Sequence, residues 1–271
     1  VRDLQADVAA AIGIAVTEHH TVAEILANVT AKGDVEAASE NNVNFRTRAS
    51  GASVTTAPVG ANTATAAVAV TVNRNSAETH VADGVTLDAG KDVDITAYSS
   101  QNMTGKYSAY LSAQAIAASI ATGMQGTLGL AGAVAVLAAY ADTIAEIGDN
   151  VTILAAGDVL VQANDLSKLA LRALGVNFGK QTVGVGAAVA ILYAESYIHA
   201  LAGDGLTVQA QSLTMDAKRL LVDESQYAFP FDWENLFTVN TGSPGAPEGL
   251  FHVTFPESLL DLDSEWIKDI K

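Results

Sequence analysis

A short turn followed by alternating apolar residues occurs four times in the chain, and it constrains the fold more than any other feature. Each turn leads into Val or Leu followed by Thr. Gly and Asn tolerate a positive φ, and an Asp before them can bond its own backbone, so these dipeptides favour tight turns. The four copies therefore predict an internal repeat. The turns are Ala27-Asn28, Asp83-Gly84, Asp149-Asn150 and Asp204-Gly205.

The clearest copy of the repeat is residues 151–163, which read VTILAAGDVLVQA. Apolar residues alternate on both sides of Gly157-Asp158, and side chains of a strand point to opposite faces with a period of two. The segment therefore predicts two short strands, each with one buried face, joined at a corner. Residues 85–97 and 206–217 repeat the pattern, and residues 29–37 contain a shortened form.

A second apolar segment precedes each turn in the same order. Counting from Val29 to Val85, Val151 and Leu206 gives steps of 56, 66 and 55 residues. Long units that repeat in this way indicate a solenoid, in which each unit buries its apolar face against its neighbours. The upstream segments are 11–16, 67–70, 133–136 and 188–191. The predicted units are about 1–41, entered part-way, then 42–101, 102–166 and 167–219.

The length of a unit allows two ways of winding. If one unit formed one coil, Asp34, Asp92 and Asp158 would stack at about 4.8 Å, and that column of like charge would need a cation. Three coils per unit, each of about 20 residues, would separate these carboxylates by about 14 Å. We expect three coils, because a single coil of this length requires large excursions.

Composition excludes several classes of function. The net charge of −16 argues against nucleic acid and anionic membrane surfaces as partners, since both require a basic protein surface. The chain has no cysteine, which excludes disulfides and thiolate metal sites. Aromatic residues make up only 6%, which fits a narrow core of stacked strands. The absence of a signal peptide suggests a segment of a longer chain.

Residues 107–141 carry no charge, a length sufficient for a membrane span. Serine, threonine and glutamine interrupt the run, and the matching segments of other units carry arginine or lysine. A true span is more uniformly apolar, so we predict no membrane span. A buried helix pair remains an alternative to strands, because periodicity does not separate the two in short alanine-rich runs.

Residues 220–271 differ from the repeats. They contain four of the five prolines, both tryptophans and ten acidic residues against two lysines. Such a segment could cap the open end of a solenoid, where unpaired strand edges invite aggregation, or link it to further domains. Residues 264–271 could begin a helix with Glu265 near its N-terminus.

Candidate metal ligands cluster at Glu18, His19, His20 and Glu24. His20 and Glu24 would share a helical face, yet no third ligand pattern accompanies them, so a polar loop is the preferred interpretation. His80 and His199 precede Asp-Gly turns and are interpreted as solvated strand ends.

Acidic candidates occur in two places. Residues 261–265 begin like a calcium loop, but Trp266 stands where the turn requires Gly. Calcium therefore remains possible, and no other cofactor is expected. Asp88, Asp92 and Asp94 could be paired carboxylates for sugar chemistry, but a solvated outer face is the preferred interpretation. No residue is assigned a catalytic, cofactor-binding or metal-binding role.

The unit GAVAVLAAYADTIAEIGDNVTILAAGDVLVQA resembles the long repeats of giant bacterial surface proteins, the filamentous-haemagglutinin-like and leukotoxin-like filamentous adhesins. The resemblance covers about residues 8–218. It implies an all-β fold, a right-handed parallel β-helix (β-solenoid) of about 3.5 long repeats, exported to the bacterial cell surface. It carries no catalytic residues.

The sequence therefore predicts a structural and adhesive segment that displays a binding surface to a protein or glycan of a host or neighbouring cell, with self-association possible. Two alternatives remain. One is a β-helical carbohydrate-active enzyme, a lyase or hydrolase, which a groove of acids, a base and aromatic platforms would favour. The other is an assembly subunit that polymerises end to end.

Overall fold

The computed structural model describes most of the chain, and all regular secondary structure in the described ranges is β-strand. The chain divides into two compact units, 1–222 and 223–271. The described residues are 6–43, 45–55, 62–101, 111–121, 128–167, 169–179, 183–219, 237–239 and 251–253.

The first unit winds in successive coils of strands. The first coil contains β1 (Ala6–Ile25), β2 (Val29–Ala31), β3 (Val35–Asn42) and β4 (Arg46–Thr55). The second contains β5 (Asn62–Val81), β6 (Thr86–Ala89), β7 (Val93–Gln101) and β8 (Leu111–Ala121). The third contains β9 (Leu128–Ile147), β10 (Thr152–Ala155), β11 (Asp158–Ser167) and β12 (Leu169–Gly179). The fourth contains β13 (Val183–Ala202), β14 (Thr207–Gln209) and β15 (Ser212–Arg219).

Equivalent strands of successive coils pair in parallel and form four sheets. Sheet A is β1-β5-β9-β13, sheet B is β2-β6-β10-β14, sheet C is β3-β7-β11-β15 and sheet D is β4-β8-β12. The prediction of an all-β parallel β-solenoid with internal repeats is confirmed, because every equivalent strand lies beside its counterpart in the next coil.

Each repeat forms one coil, so the expectation of three coils per unit is wrong. Along sheet A, Ala11 pairs with Ala67, Ala67 with Ala133 and Ala133 with Ala188. One coil accommodates the whole unit because each strand of sheet A is 20 residues long. The upstream apolar segments therefore stack in register, as the repeat predicted.

The predicted alignment of the first repeat is displaced by two residues. Val29 pairs with Leu87 and not with Val85. Three residues separate the end of β1 from Val29, whereas five separate the end of β5 from Leu87. A shift of two residues keeps the same side chains on the buried face, so the core is preserved.

The repeated turns have the predicted left-handed backbone at three of four copies. The φ angles are +69° at Gly84, +56° at Asn150 and +73° at Gly205. Two of the turn aspartates, Asp83 and Asp149, form hydrogen bonds between coils. The Asp83 carboxylate accepts the N–H of Asp149 at 2.8 Å, and the Asp149 carboxylate accepts the N–H of Asp204 at 2.7 Å.

One core of the coil stack is built from large aliphatic side chains. The second half of sheet A contributes Ile147, sheet B contributes Leu87 and Ile153, and sheet C contributes Ile95 and Val161, all fully buried. Burying side chains of this size contributes about 1.5–3 kcal/mol each. The predicted corner at residues 151–163 is confirmed, since its alternating Val and Ile side chains are among those buried. We call this region the aliphatic core.

A second core lies between the first half of sheet A and sheet D, and it is built almost entirely from alanine. Ala69 and Ala135 of sheet A pack against Ala115 and Ala117 of sheet D. A Cβ built on Gly51 of sheet D would lie 2.8 Å from the carbonyl oxygen of Ala66 of sheet A. The two sheets therefore approach closely. We call this region the alanine core.

The charge-free run forms strands. Its described parts belong to β8 and β9, and the helical alternative is wrong for them. Across the described ranges, the structure contains no helix of the length and apolarity needed to cross a membrane.

The second unit contains the short strands β16 (Phe237–Val239) and β17 (Phe251–Val253), which pair in parallel with Phe237 opposite Phe251. The proposed calcium loop at residues 261–265 and the proposed helix at 264–271 lie outside the described residues.

Candidate functional site

The outward surface of sheet A divides into two halves of different chemistry. In the first half, the outward positions of residues 8–16, 64–72, 130–138 and 185–193 are aliphatic or glycine except for Tyr193. In the second half, the outward positions of residues 18–24, 74–80, 140–146 and 195–201 are mostly charged, histidine or tyrosine. We call these the apolar half and the polar half of the outer face.

The polar half brings residues from all four coils into neighbouring columns. One column contains Glu18, Arg74, Tyr140 and Glu195 in register. The next contains His20, Ser76, Asp142 and Tyr197. Residues up to 177 positions apart in sequence therefore meet on one surface, because each repeat forms one coil.

Aromatic rings and an arginine lie at the boundary between the polar half and the apolar half. The guanidinium carbon of Arg74 lies 5.5 Å from the ring centroid of Tyr140, a cation–π distance. The Tyr140 and Tyr193 rings are 5.5 Å apart and tilted by 49°. Tyr193 donates its hydroxyl to Glu195 at 2.9 Å, and Tyr197 also donates to Glu195. The hydrogen bonds from Tyr197 and Tyr193 lower the pKa of Glu195.

Histidines and carboxylates form a chain across the first three coils. His20 Nε2 lies 3.3 Å from Glu78 Oε1, His80 Nε2 lies 3.2 Å from Glu78 Oε2, and His80 Nδ1 lies 3.1 Å from Glu146 Oε2. The pKa of Glu78 is lowered, first by a hydrogen bond from Ser76 and then by the two histidines. Within the part of the chain that the structure describes, no three His, Asp or Glu side chains are placed to hold a metal ion.

A shallow concavity of about 330 Å³ opens on the polar half. Its lining includes Arg74, Tyr140 and Tyr197 together with the carboxylates of Glu78 and Asp142. Partial burial, followed by the neighbouring charges of Glu78 and Glu195, raises the pKa of Asp142. The concavity therefore combines aromatic faces with carboxylates whose pKa values are shifted in opposite directions.

The candidate residues of the 18–24 segment lie on a strand rather than in a loop or helix. Glu18, His20 and Glu24 face outward in β1, and His20 contacts Glu78 of the next coil rather than its sequence neighbours. His80 and His199 also lie within the strands of sheet A at outward positions, where His80 is half-buried and His199 is exposed. The sequence signal for this grouping was the internal repeat. If each repeat forms one coil, equivalent outward residues of successive repeats lie side by side.

The aspartates at the corner between sheets B and C stack in a column. Asp34 Oδ1 accepts the N–H of Asp92 at 3.3 Å, and Asp92 Oδ1 accepts the N–H of Asp158 at 2.8 Å. The column that the one-coil alternative described is therefore present, and backbone N–H groups donate to its carboxylates. Asp88 lies in sheet B, and Asp94 lies on the outer face of sheet C.

Sequence reasoning missed Asp165, whose side chain is fully buried. Its carboxylate accepts hydrogen bonds from Ser167 at 2.7 Å and Ser196 at 2.9 Å, and it lies 3.5 Å from Nε of Arg219. Three donors satisfy this buried carboxylate. It therefore links sheets A and C through polar contacts and has a structural role.

Comparison of the chain with known protein families, curated proteins and solved structures finds no match.

Proposed function

We propose that the chain is a structural and adhesive segment of a large secreted or cell-surface bacterial protein. The coil stack acts as the scaffold, and the polar half of the outer face of sheet A acts as the recognition surface. The observation that carries the proposal is the assembly of the concavity from four separate repeats. A scaffold of stacked β-strands holds such a surface rigidly, which limits the entropy lost on binding.

A glycan is the proposed ligand. The faces of Tyr140 and Tyr197 offer stacking platforms for sugar rings, and Glu78 and Asp142 offer acceptors for hydroxyl groups. The polar half contains six carboxylates and one arginine at its outward positions. Like charges disfavour association, so neutral or amino sugars fit this surface better than sulfated or uronic acid sugars.

Binding can be tested with the purified chain on an array of neutral, amino and sulfated oligosaccharides. We expect binding to a neutral or amino oligosaccharide, with loss of binding in Tyr140→Ala and in Tyr197→Ala. Tyr98→Ala is the matched control, because Tyr98 lies on the outer face of sheet C and should leave binding unchanged. Absence of binding, or equal loss in the Tyr98 variant, would contradict the proposed site.

A second candidate function is a polysaccharide lyase or hydrolase. It is favoured by the opposite pKa shifts of Glu78 and Asp142, since an acid and a base with separated pKa values can share a proton-transfer step. Mass spectrometry of the bound oligosaccharide after incubation distinguishes the two functions. Shortened products that disappear in Asp142→Asn support an enzyme, whereas an intact oligosaccharide supports binding alone.

A further inference from the structure

The apolar half of the outer face is an exposed aliphatic surface that spans all four coils. Ile12, Ile14 and Val16 of the first coil are 68–72% exposed, and Val189 and Ile191 of the last coil are 50–51% exposed. Parallel sheets normally have both faces covered, because their strands are apolar on both sides. This surface therefore has the composition of a buried sheet face while lying on the outside of the coil stack.

The apolar half is about as large as the largest apolar patch of a typical monomer, and patches of that size are often functional. Nine residues along each strand and four strands across give about 30 Å by 19 Å, or about 570 Å². Two such surfaces together bury about 1,100 Å², which is above the about 1,000 Å² expected of a biological interface and in the size class of weak or transient complexes. None of its 20 outward positions carries a charge, in a chain whose net charge is −16.

We infer that the apolar half is a self-association surface on which a second copy of this chain packs face to face. Two flat sheets with β-branched side chains at regular spacing interdigitate at a separation of about 10 Å. The interaction is isologous, since the same surface is used by both copies. This interface does not depend on the proposed adhesive role of the polar half.

The distribution of charge along sheet A determines the orientation of the two copies. A two-fold axis parallel to the stacking direction lays one apolar half over the other and places the two acidic polar halves at opposite ends. A two-fold axis parallel to the strands would instead place carboxylates against carboxylates, which is unfavourable. The favoured arrangement also leaves the concavity uncovered, because the overlap ends before Glu18 and Arg74.

Analytical ultracentrifugation of the 271-residue chain tests the inference. The monomer mass is 27.8 kDa, so a dimer has twice that mass. We expect a dimer with a dissociation constant on the order of micromolar. The double variant Val70→Lys/Val136→Lys, at central positions of the apolar half, should weaken dimerisation by about a hundredfold or more, because two lysines would be buried in each copy.

The matched control is Thr96→Lys/Gln162→Lys, two neighbouring positions on the outer face of sheet C. This control should remain dimeric, and circular dichroism should show unchanged strand content in both double variants. A monomeric wild-type chain would overturn the inference and assign the surface to a different partner. A dimer that survives the Val70→Lys/Val136→Lys substitutions would also overturn the inference. Such a dimer is the result expected if the copies instead pair end to end through β1 and β13.

A single cysteine tests the orientation. Ile12 of the first coil lies near the proposed two-fold axis, so Ile12→Cys should form a covalent dimer with a short bismaleimide reagent. About an axis parallel to the strands, Ile12 would instead face Val189 and lie three strand spacings, about 14 Å, from its own counterpart. Thr96→Cys should not form one. Equal cross-linking of both variants would contradict the proposed orientation.

Discussion

The strands of sheet A line both the aliphatic core and the alanine core, but they bury side chains of different size in the two cores. In the second half of β9, Ile147 points inward and the outward positions carry Tyr140, Asp142 and Glu146. In the first half, Ala133 and Ala135 point inward and the valines between them point outward. Most large side chains are therefore inside at one end of the strand and outside at the other, and the fully buried Leu137 is an exception.

The difference shows that the spacing between sheets, and not hydropathy alone, decides which side chains are buried. Sheets A and D approach so closely at Gly51 and Gly175 that a Cβ there would overlap a carbonyl oxygen of the facing strand, and most other buried side chains between the two sheets are alanine. The valines and isoleucines of the same strands have space only on the outer face. Close packing of small residues thus produces an exposed aliphatic surface in an otherwise acidic protein.

The largest expected effect is a charge placed in the aliphatic core. Val159 is 1% exposed, and Val159→Asp should destabilise the coil stack by more than about 4 kcal/mol, because a buried carboxylate has no partner there. Limited proteolysis should show cleavage within residues 151–167. Thr214→Asp, at an exposed outward position of the neighbouring strand β15, is the control and should remain resistant. Unchanged resistance of Val159→Asp would contradict the assigned core.

A methyl group added to the alanine core should have the next largest effect. A Cβ on Gly175 would overlap the carbonyl oxygens of Ala187 and Ala131, so Gly175→Ala should cost about 1–3 kcal/mol. Gly132→Ala is the control, because a Cβ on Gly132 meets nothing within 4 Å. Urea denaturation measures both variants. Equal midpoints would mean that sheets A and D are not closely packed.

A smaller effect is expected at the turn that begins each aliphatic segment. Gly84 has a φ of +69° with open space around it, so Gly84→Ala adds only backbone strain, about 1 kcal/mol. Gly33 also has open space but no positive φ, so Gly33→Ala should be neutral or slightly stabilising. The melting temperature should therefore fall for Gly84→Ala and stay unchanged or rise slightly for Gly33→Ala. An equal fall in both variants would argue against the left-handed turn.

The smallest effect concerns a surface carboxylate and its pH dependence. Partial burial, followed by Asp92, Glu36 and Asp34, raises the pKa of Asp94 above its usual 3.8. A raised pKa favours the folded state only while the group is protonated, so the benefit is lost as the pH rises through the folded pKa. Asp94→Asn should therefore raise the melting temperature at pH 7, and the gain should shrink towards pH 3.

Asp216 lies on the same outer face of sheet C and is the control, because its pKa is shifted in the opposite direction. Hydrogen bonds from Lys218 and Gln162 lower its pKa, so its ionised form favours folding above the usual pKa and the benefit is lost on acidification. Asp216→Asn should lower the melting temperature at pH 7 and converge with the wild type at low pH. Shifts of the same sign in both variants would contradict the assigned environments.

Local chemistry allowed much of the fold to be predicted from the sequence. The corner at residues 151–163 and the turns at Gly84 and Gly205 depend on period-two alternation and on φ, which a short segment reveals. The two-residue displacement at Val29 was not predictable, because such a shift leaves the same face buried. The number of coils per repeat was missed because strands of 20 residues are far longer than usual.

The candidate site could be predicted only in part. His20 and Glu24 were recognised as a polar cluster, but their partners lie in other coils and depend on the winding. The apolar half was missed because a sequence such as Ala67-Val68-Ala69-Val70 is apolar on both faces, so alternation alone does not say which set is buried.

The central claim is that each repeat forms one coil with equivalent residues side by side, and disulfide formation between coils tests it most directly. The chain has no native cysteine. Thr96 pairs with Gln162 across adjacent coils, at a strand spacing of about 4.8 Å that a disulfide can bridge. Thr96→Cys/Gln162→Cys should oxidise to an intramolecular disulfide, whereas the displaced pair Thr96→Cys/Asn164→Cys should not. Failure of the aligned pair, or preferential bridging of the displaced pair, would contradict the one-coil repeat.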